Sequence, residues 1–145
     1  DMPGQLTSDH GWDITAHKDK LQKVLARLRA AGIRSSLFLD PSPAAVALVP
    51  AVEADRIELY TEAFAENYGS PLESATFEIY RETAVKAQAL GLGVNAGHDL
   101  NLQNLGKFLL IPNVLEVSIG HALVVESLQL GLPAVISRYL AITGE

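Results

Sequence analysis

Four times along the chain, an amphipathic helical pattern alternates with an apolar run too short to be anything but a strand. Residues 17–32, HKDKLQKVLARLRAAG, set Leu21, Val24, Leu25, Leu28 and Ala31 on one face, with Lys and Arg opposite, and Gly32 stops the helix. IRSSLFLD (33–40) follows as a strand ending at Asp40 and punctuated by Pro41 and Pro43. PAAVALVPAVEAD (43–55) is a short helix that Pro50 must interrupt, and RIELYT (56–61) is the second strand. LESATFEIYRETAVKAQALG (72–91) is the longest helix, with Phe77, Tyr80, Ala84 and Ala87 as its stripe. LGVNAG (92–97) is the third strand, and NLQNLGKFLLI (101–111) is a helix weakened by Gly106. VLEVSIG (114–120) is the fourth strand, followed by helices over 121–131 and 132–142.

Strands separated by helices pair in parallel, because a parallel connection needs a crossover. Two architectures accommodate four such units: an open doubly wound sheet, or part of a (β/α)8 barrel. Both gather chemistry at the carboxyl ends of the strands. Those ends carry Asp40, then Tyr60 and Thr61, then Gly97 and His98, and then Gly120 and His121. Two of only four histidines therefore sit at that rim, each after a glycine.

A glycine at a strand end lets a ligand approach the backbone with no Cβ in the way. The N–H groups that open the helix after SIGH suit a phosphate. A short extra helix at such a position is common in phosphate-binding barrels, and HALVVESLQLG followed by LPAVISRYLAI fits it. Histidine adds a group that titrates near neutral pH and can pass a proton. A Gly-His pair is nonetheless a weak pattern, and a lone strand-end histidine is more often a hydrogen-bonded structural residue. Finding two such pairs at predicted carboxyl ends makes catalysis and structure equally good readings.

The other candidates are plainer. His10 and His17 fall in the opening loop and at a polar helix start, where solvation is expected. Glu58 alternates with Ile57 and Leu59 and so faces away from both; in a barrel strand that is the packed interior, where a carboxylate needs a partner and could serve function, whereas at an open-sheet edge it would simply be exposed. Asp40 is expected to cap the turn before Pro41. Glu73, Glu78 and Glu82 form a solvated helix face.

Composition removes several classes. The net charge of −6 and the absence of a basic stripe argue against general nucleic-acid binding. No apolar run approaches the length of a membrane span, and no leader-like segment opens the chain. With no cysteine there is neither a disulfide framework nor a thiolate metal site, which is compatible with a reducing cytosol. No GxGxxG, GxxxxGK[ST], HExxH or GxSxG occurs. We expect one domain over 1–145, with an opening loop at 1–16 and β/α units over 17–145. The start at Asp1, in a loop, suggests a piece of something longer.

VNAGHDLNLQNL, LEVSIGHAL, RIELYTEAFA and GWDITAHKDKL with GIRSSLFLD together resemble the pyridoxine 5′-phosphate synthase family, ring-closing enzymes of one vitamin B6 pathway. The likeness runs in order, with family-like spacing, over nearly all 145 residues. It implies a (β/α)8 TIM barrel of which this chain covers roughly the C-terminal half, strands five to eight. It also implies condensation of 1-deoxy-D-xylulose 5-phosphate with 3-amino-2-oxopropyl phosphate, giving pyridoxine 5′-phosphate, phosphate and water without a redox or metal cofactor. By motif, His98 would be the proton donor. Gly120 and His121, with the backbone at Asp99, would bind the amino-ketone phosphate, and Thr7 would contact the deoxyxylulose phosphate. We further expect a cytoplasmic homo-oligomer with phosphorylated small-molecule substrates and no nucleic-acid or membrane partner.

The chain departs from the family pattern in three places. Asp99 stands where many relatives have glycine, so phosphate contact there would have to use the main chain, with the carboxylate turned away. The second strand ends YTE where some members have HTG, so Tyr60 and Glu62 are given no role. The half of the barrel that carries a further catalytic histidine, a glutamate base and an arginine is not in the chain. A half-barrel leaves two open parallel edges, so alone it is expected to be inactive and poorly folded. Two other readings remain: a non-catalytic phosphate-binding half-barrel, and another phosphosugar-handling barrel enzyme. A Schiff-base aldolase is disfavoured because Lys20, Lys23, Lys86 and Lys107 all fall in predicted helices.

Overall fold

The four predicted strands form one sheet, β1 (Ser36–Leu39), β2 (Arg56–Tyr60), β3 (Gly93–Gly97) and β4 (Val114–Ser118), in the spatial order β1-β2-β3-β4 and parallel throughout. The structure is a computed structural model that describes residues 7–144; the first six residues of the expected opening loop, and residue 145, lie outside it. An α/β fold with sequential parallel strands is consistent with part of a TIM barrel.

Helices α1 (Ile14–Ala30), α2 (Pro43–Val46), α3 (Glu62–Asn67), α4 (Glu73–Ala89), α5 (Leu105–Phe108), α6 (His121–Leu130) and α7 (Leu132–Thr143) fill the connections, with a 3₁₀ turn at Val49–Val52. Helix α1 begins before the expected residue 17 because Asp13 caps it, its carboxylate accepting from the Ala16 N–H at 3.0 Å. Its contact face is narrower than the periodicity predicts: Leu21 and Leu25 are buried, whereas Val24 and Ala31 are exposed. Pro50 interrupts the second helical segment as expected, and the chain resumes there as a 3₁₀ turn. Ser42 caps α2 through its hydroxyl. Asp40, expected to cap that turn, instead accepts from the Gly11 N–H at 3.1 Å and holds the opening loop against β1.

Two elements differ from the sequence reading. Helix α3 was not anticipated; its six residues are too few to show a period, although Glu62 at its first turn and the buried Phe64 mark it. The helix expected over 101–111 contracts to Leu105–Phe108. Asn101 and Asn104 consume the backbone ahead of it: the Asn101 carboxamide accepts from the N–H groups of Gln103 and Asn104, and Asn104 accepts from that of Asn101. Such side-chain bonds compete with helical ones.

One face of the sheet packs on the helices through Leu37, Leu39, Ile57, Leu59, Val94 and Ala96, all buried, together with Tyr80, Phe64 and Phe108. The opposite face carries Phe38, Glu58, Tyr60, Asn95, Gly97, Glu116 and Ser118. A bulge between Val94 and Asn95 inserts Leu115 into β4 and brings Glu116 opposite Asn95 and Ser118 opposite Gly97. Near the amino ends of the strands that face is cross-linked. Arg56 donates to Asn95 and Glu116, Asn95 donates to Glu116, and Nη2 of Arg34 donates to both Glu116 oxygens. Desolvation pushes the Glu116 carboxyl up, but the Arg34 and Asn95 hydrogen bonds and both guanidinium charges outweigh it and hold it low. Among the described residues, no helix is long and apolar enough to cross a membrane.

Candidate active site

Because all four strands run the same way, their carboxyl ends share one rim, and the residues there come from separate β–α junctions. His98 follows β3 with φ +91, and Asp99 follows it with φ +57, both in the region that disfavours side chains. Buried neighbours hold this backbone. The Thr61 hydroxyl donates to the carbonyls of Gly97 (2.8 Å) and His98, and the Asn104 carboxamide donates to the Asp99 carbonyl at 3.1 Å. Strain fixed from both sides at a strand end is a common mark of a functional position.

The His98 ring is held on three sides. Its Nδ1 lies 2.8 Å from the Asp99 carboxylate, and its Nε2 lies 3.5 Å from Thr7 Oγ1. The ring meets Tyr60 edge-to-face at 4.8 Å, and Tyr60 in turn leans on Phe38. The Tyr60 hydroxyl donates to Glu62 at 2.7 Å. Burial first, and then that bond, push the phenol well above its ordinary value, so it remains protonated. Thr7, His98 and Asp99 are therefore brought together. A cavity of about 330 Å³ beside them is lined by Asp99, Asn101, Glu62, Glu66, His121 and Ala122, which adds His121 to the same rim. The Asp99 carboxylate is turned onto His98, as main-chain contact with an anion would require. Against its carboxylates the cavity offers an anion Asn101, His121 and the N-terminus of α6.

Gly120 is the N-cap of α6, and no side chain caps that helix. A Cβ there would meet nothing within 4 Å. Packing within this chain does not demand glycine at that position. Gly97 is the opposite case. A Cβ there would lie 2.4 Å from Glu58 Oε1 and 3.1 Å from the Ser118 Cβ, because the Glu58 carboxyl lies across it.

Glu58 thus faces away from Ile57 and Leu59, on the side opposite the helices, and Ser118 hydrogen-bonds to it. Burial lifts its carboxyl above the ordinary value of 4.5; repulsion from Glu116 adds to this and the Ser118 bond opposes it. The folded state therefore binds this proton more tightly than the unfolded chain does. The group favours folding fully below pH 4.5, and that contribution is lost as pH rises through the elevated folded value. Glu58→Gln is expected to melt above wild type at about pH 8, with the gap closing at about pH 4. Thermal melts at the two pH values check this, and a Gln variant that is less stable at the higher pH would show a favourably paired carboxylate instead.

His10 contacts Asp9 and is exposed; His17 is also exposed and meets Trp12 edge-on at 5.4 Å. The sequence reading placed Tyr60 and Thr61 at the rim but gave Tyr60 and Glu62 no role, and it did not single out Asn104. The structure sets Tyr60 against His98 and bonds Thr61 and Asn104 to the backbone at His98 and Asp99. The strand register, Tyr60 opposite Gly97, was the available signal for the first of these contacts.

The model of the family described as "Pyridoxal phosphate biosynthesis protein PdxJ" matches residues 1–145. The chain belongs to this family. PdxJ-family relatives named pyridoxine 5′-phosphate synthase share close to half its residues. That of Albidiferax ferrireducens is 49% identical over 141 residues, 97% of this chain and 56% of the relative. That of Brucella anthropi is 46% identical over 144 residues, 97% of this chain and 58% of the relative. That of Christiangramia forsetii is 46% identical over 141 residues, 97% of this chain and 59% of the relative. The chain spans somewhat more than half the length of the curated PdxJ relatives it matches.

Proposed function

We propose that the protein carrying this chain is a pyridoxine 5′-phosphate synthase. In this reading β1–β4 are strands five to eight of a (β/α)8 barrel and the polar sheet face lines its interior. The reaction joins 1-deoxy-D-xylulose 5-phosphate to 3-amino-2-oxopropyl phosphate and releases phosphate and water. The observation that carries the reading is a buttressed histidine at the same rim as an uncapped helix N-terminus. The α6 N–H groups, with Gly120 and His121, would take the amino-ketone phosphate, since the free backbone donors and helix dipole favour an anion. Gly120, with no Cβ, would let the ligand approach the backbone. Thr7, beside Nε2 of His98, would meet the second phosphorylated substrate.

Imine formation and dehydration both need a proton delivered to a departing oxygen. His98, with Nε2 toward Thr7, would be that donor, and Glu58 supplies a second titratable group facing the interior. The reading includes assembly as a cytoplasmic homo-oligomer, and the cysteine-free sequence is compatible with a reducing compartment.

The test incubates the natural full-length polypeptide with both substrates and follows pyridoxine 5′-phosphate and inorganic phosphate together. Formation of the two in equal amounts is expected. Saturable phosphate binding without turnover by folded protein would overturn the reading in favour of a non-catalytic phosphate-binding module.

A further inference from the structure

Asp99 occupies a backbone conformation that suits glycine, and its carboxylate makes one side-chain contact of consequence, 2.8 Å to His98 Nδ1. A left-handed φ on a non-glycine residue costs about 1 kcal/mol. Asn104 pins the Asp99 carbonyl and Thr61 the His98 carbonyl, so the pair of left-handed residues does not depend on the carboxylate for its shape. What the carboxylate does govern is the imidazole. A carboxylate can only accept, so Nδ1 must carry the hydrogen. The neutral ring then presents Nε2 bare, and the protonated ring presents Nε2–H, on the side of Thr7 and away from Asp99.

We propose that Asp99 is a positioning residue that fixes the tautomer and the rotation of His98, so that Nε2 is the nitrogen exchanging a proton with ligand. Tyr60 completes the restraint by bracing the ring at 4.8 Å. The carboxylate and the phenol ring restrain different motions. Asp99 sets which nitrogen bears hydrogen, and Tyr60 limits tilt. The role of Nε2 in turnover rests on the synthase reading, whereas the tautomer does not.

Two variants of the full-length protein, Asp99→Gly and Asp99→Ala, test this by ring-nitrogen NMR of His98 at about pH 9, where an imidazole is neutral. Wild type is expected to show the Nδ1–H form, and both variants are expected to shift toward the Nε2–H form that an unassisted imidazole prefers. In the synthase assay kcat is expected to fall about 10- to 100-fold, with KM changed less than about 3-fold, as for other carboxylates that orient a working histidine. Asp99→Gly is expected to melt no lower than wild type, since glycine tolerates φ +57. A His98 tautomer unchanged in both variants overturns the proposal. So does a fall in kcat that tracks a lowered melting temperature. A wild type that makes no pyridoxine 5′-phosphate sinks the synthase reading alone, because the nitrogen spectra still decide the role of Asp99.

Discussion

If the proposed synthase reading holds, replacing His98 by Asn is expected to lower kcat of the full-length protein by about 10²- to 10⁴-fold while leaving KM within a few-fold. The choice of substitute follows from the backbone. His98 sits at φ +91, a region that Asn and Asp enter more readily than Ala, so Asn removes the titrating ring with the least added strain. A general acid acts in the transition state, so its loss falls on kcat rather than on substrate binding. Thermal midpoints close to wild type are expected, because the backbone clamps at Thr61 and Asn104 do not use the ring. Steady-state kinetics on the variant decide the matter. A kcat within about 3-fold of wild type would remove His98 from the chemistry and leave it as a wall of the site.

How much of this was legible beforehand varies with the range of the interaction. Apolar alternation at Ile57 and Leu59 and at Val94 and Ala96 reports burial against helices, and the strands formed where that pattern lay. The rim positions of His98 and His121 follow from parallel pairing, which needs no coordinates. The conformation of His98 does not, because it is imposed by Thr61, 37 residues away, and by the asparagine pair that also shortens α5. Nor does the bulge at Leu115 leave a mark in VLEVS, yet it sets Glu116 opposite Asn95 and Ser118 opposite Gly97. The partner of the Glu58 carboxylate was thus hidden even though its facing was readable. Tyr60 was dismissed because it departs from a family pattern, although pairing β2 with β3 in register puts it next to the residue before His98.

Gly97 joins these strands of argument, and its replacement by Ala carries the second large effect. The added methyl would sit 2.4 Å from Glu58 Oε1, the far end of a side chain that must then shift, and 3.1 Å from the Ser118 Cβ, which can give less. Gly97 lies in β3 with Thr61 bonded to its carbonyl, so the strand has little room to retreat and the carboxyl must move. Displacing it breaks the Ser118 bond and overpacks the face, at a cost of about 1–3 kcal/mol. Activity in the synthase assay is expected to fall as well, since His98 is the next residue and its carbonyl shares the Thr61 hydroxyl. The cause can be isolated by adding Glu58→Ala, which empties the space the methyl needs. Denaturant unfolding of the two single variants and the double variant should then show a coupling of about 1 kcal/mol or more, with the double variant more stable than the sum of the singles predicts. Strict additivity would trace the strain to Ser118 and β4 instead, and would mean that glycine is kept at position 97 for the spacing of the strands rather than for the seat of the interior carboxylate.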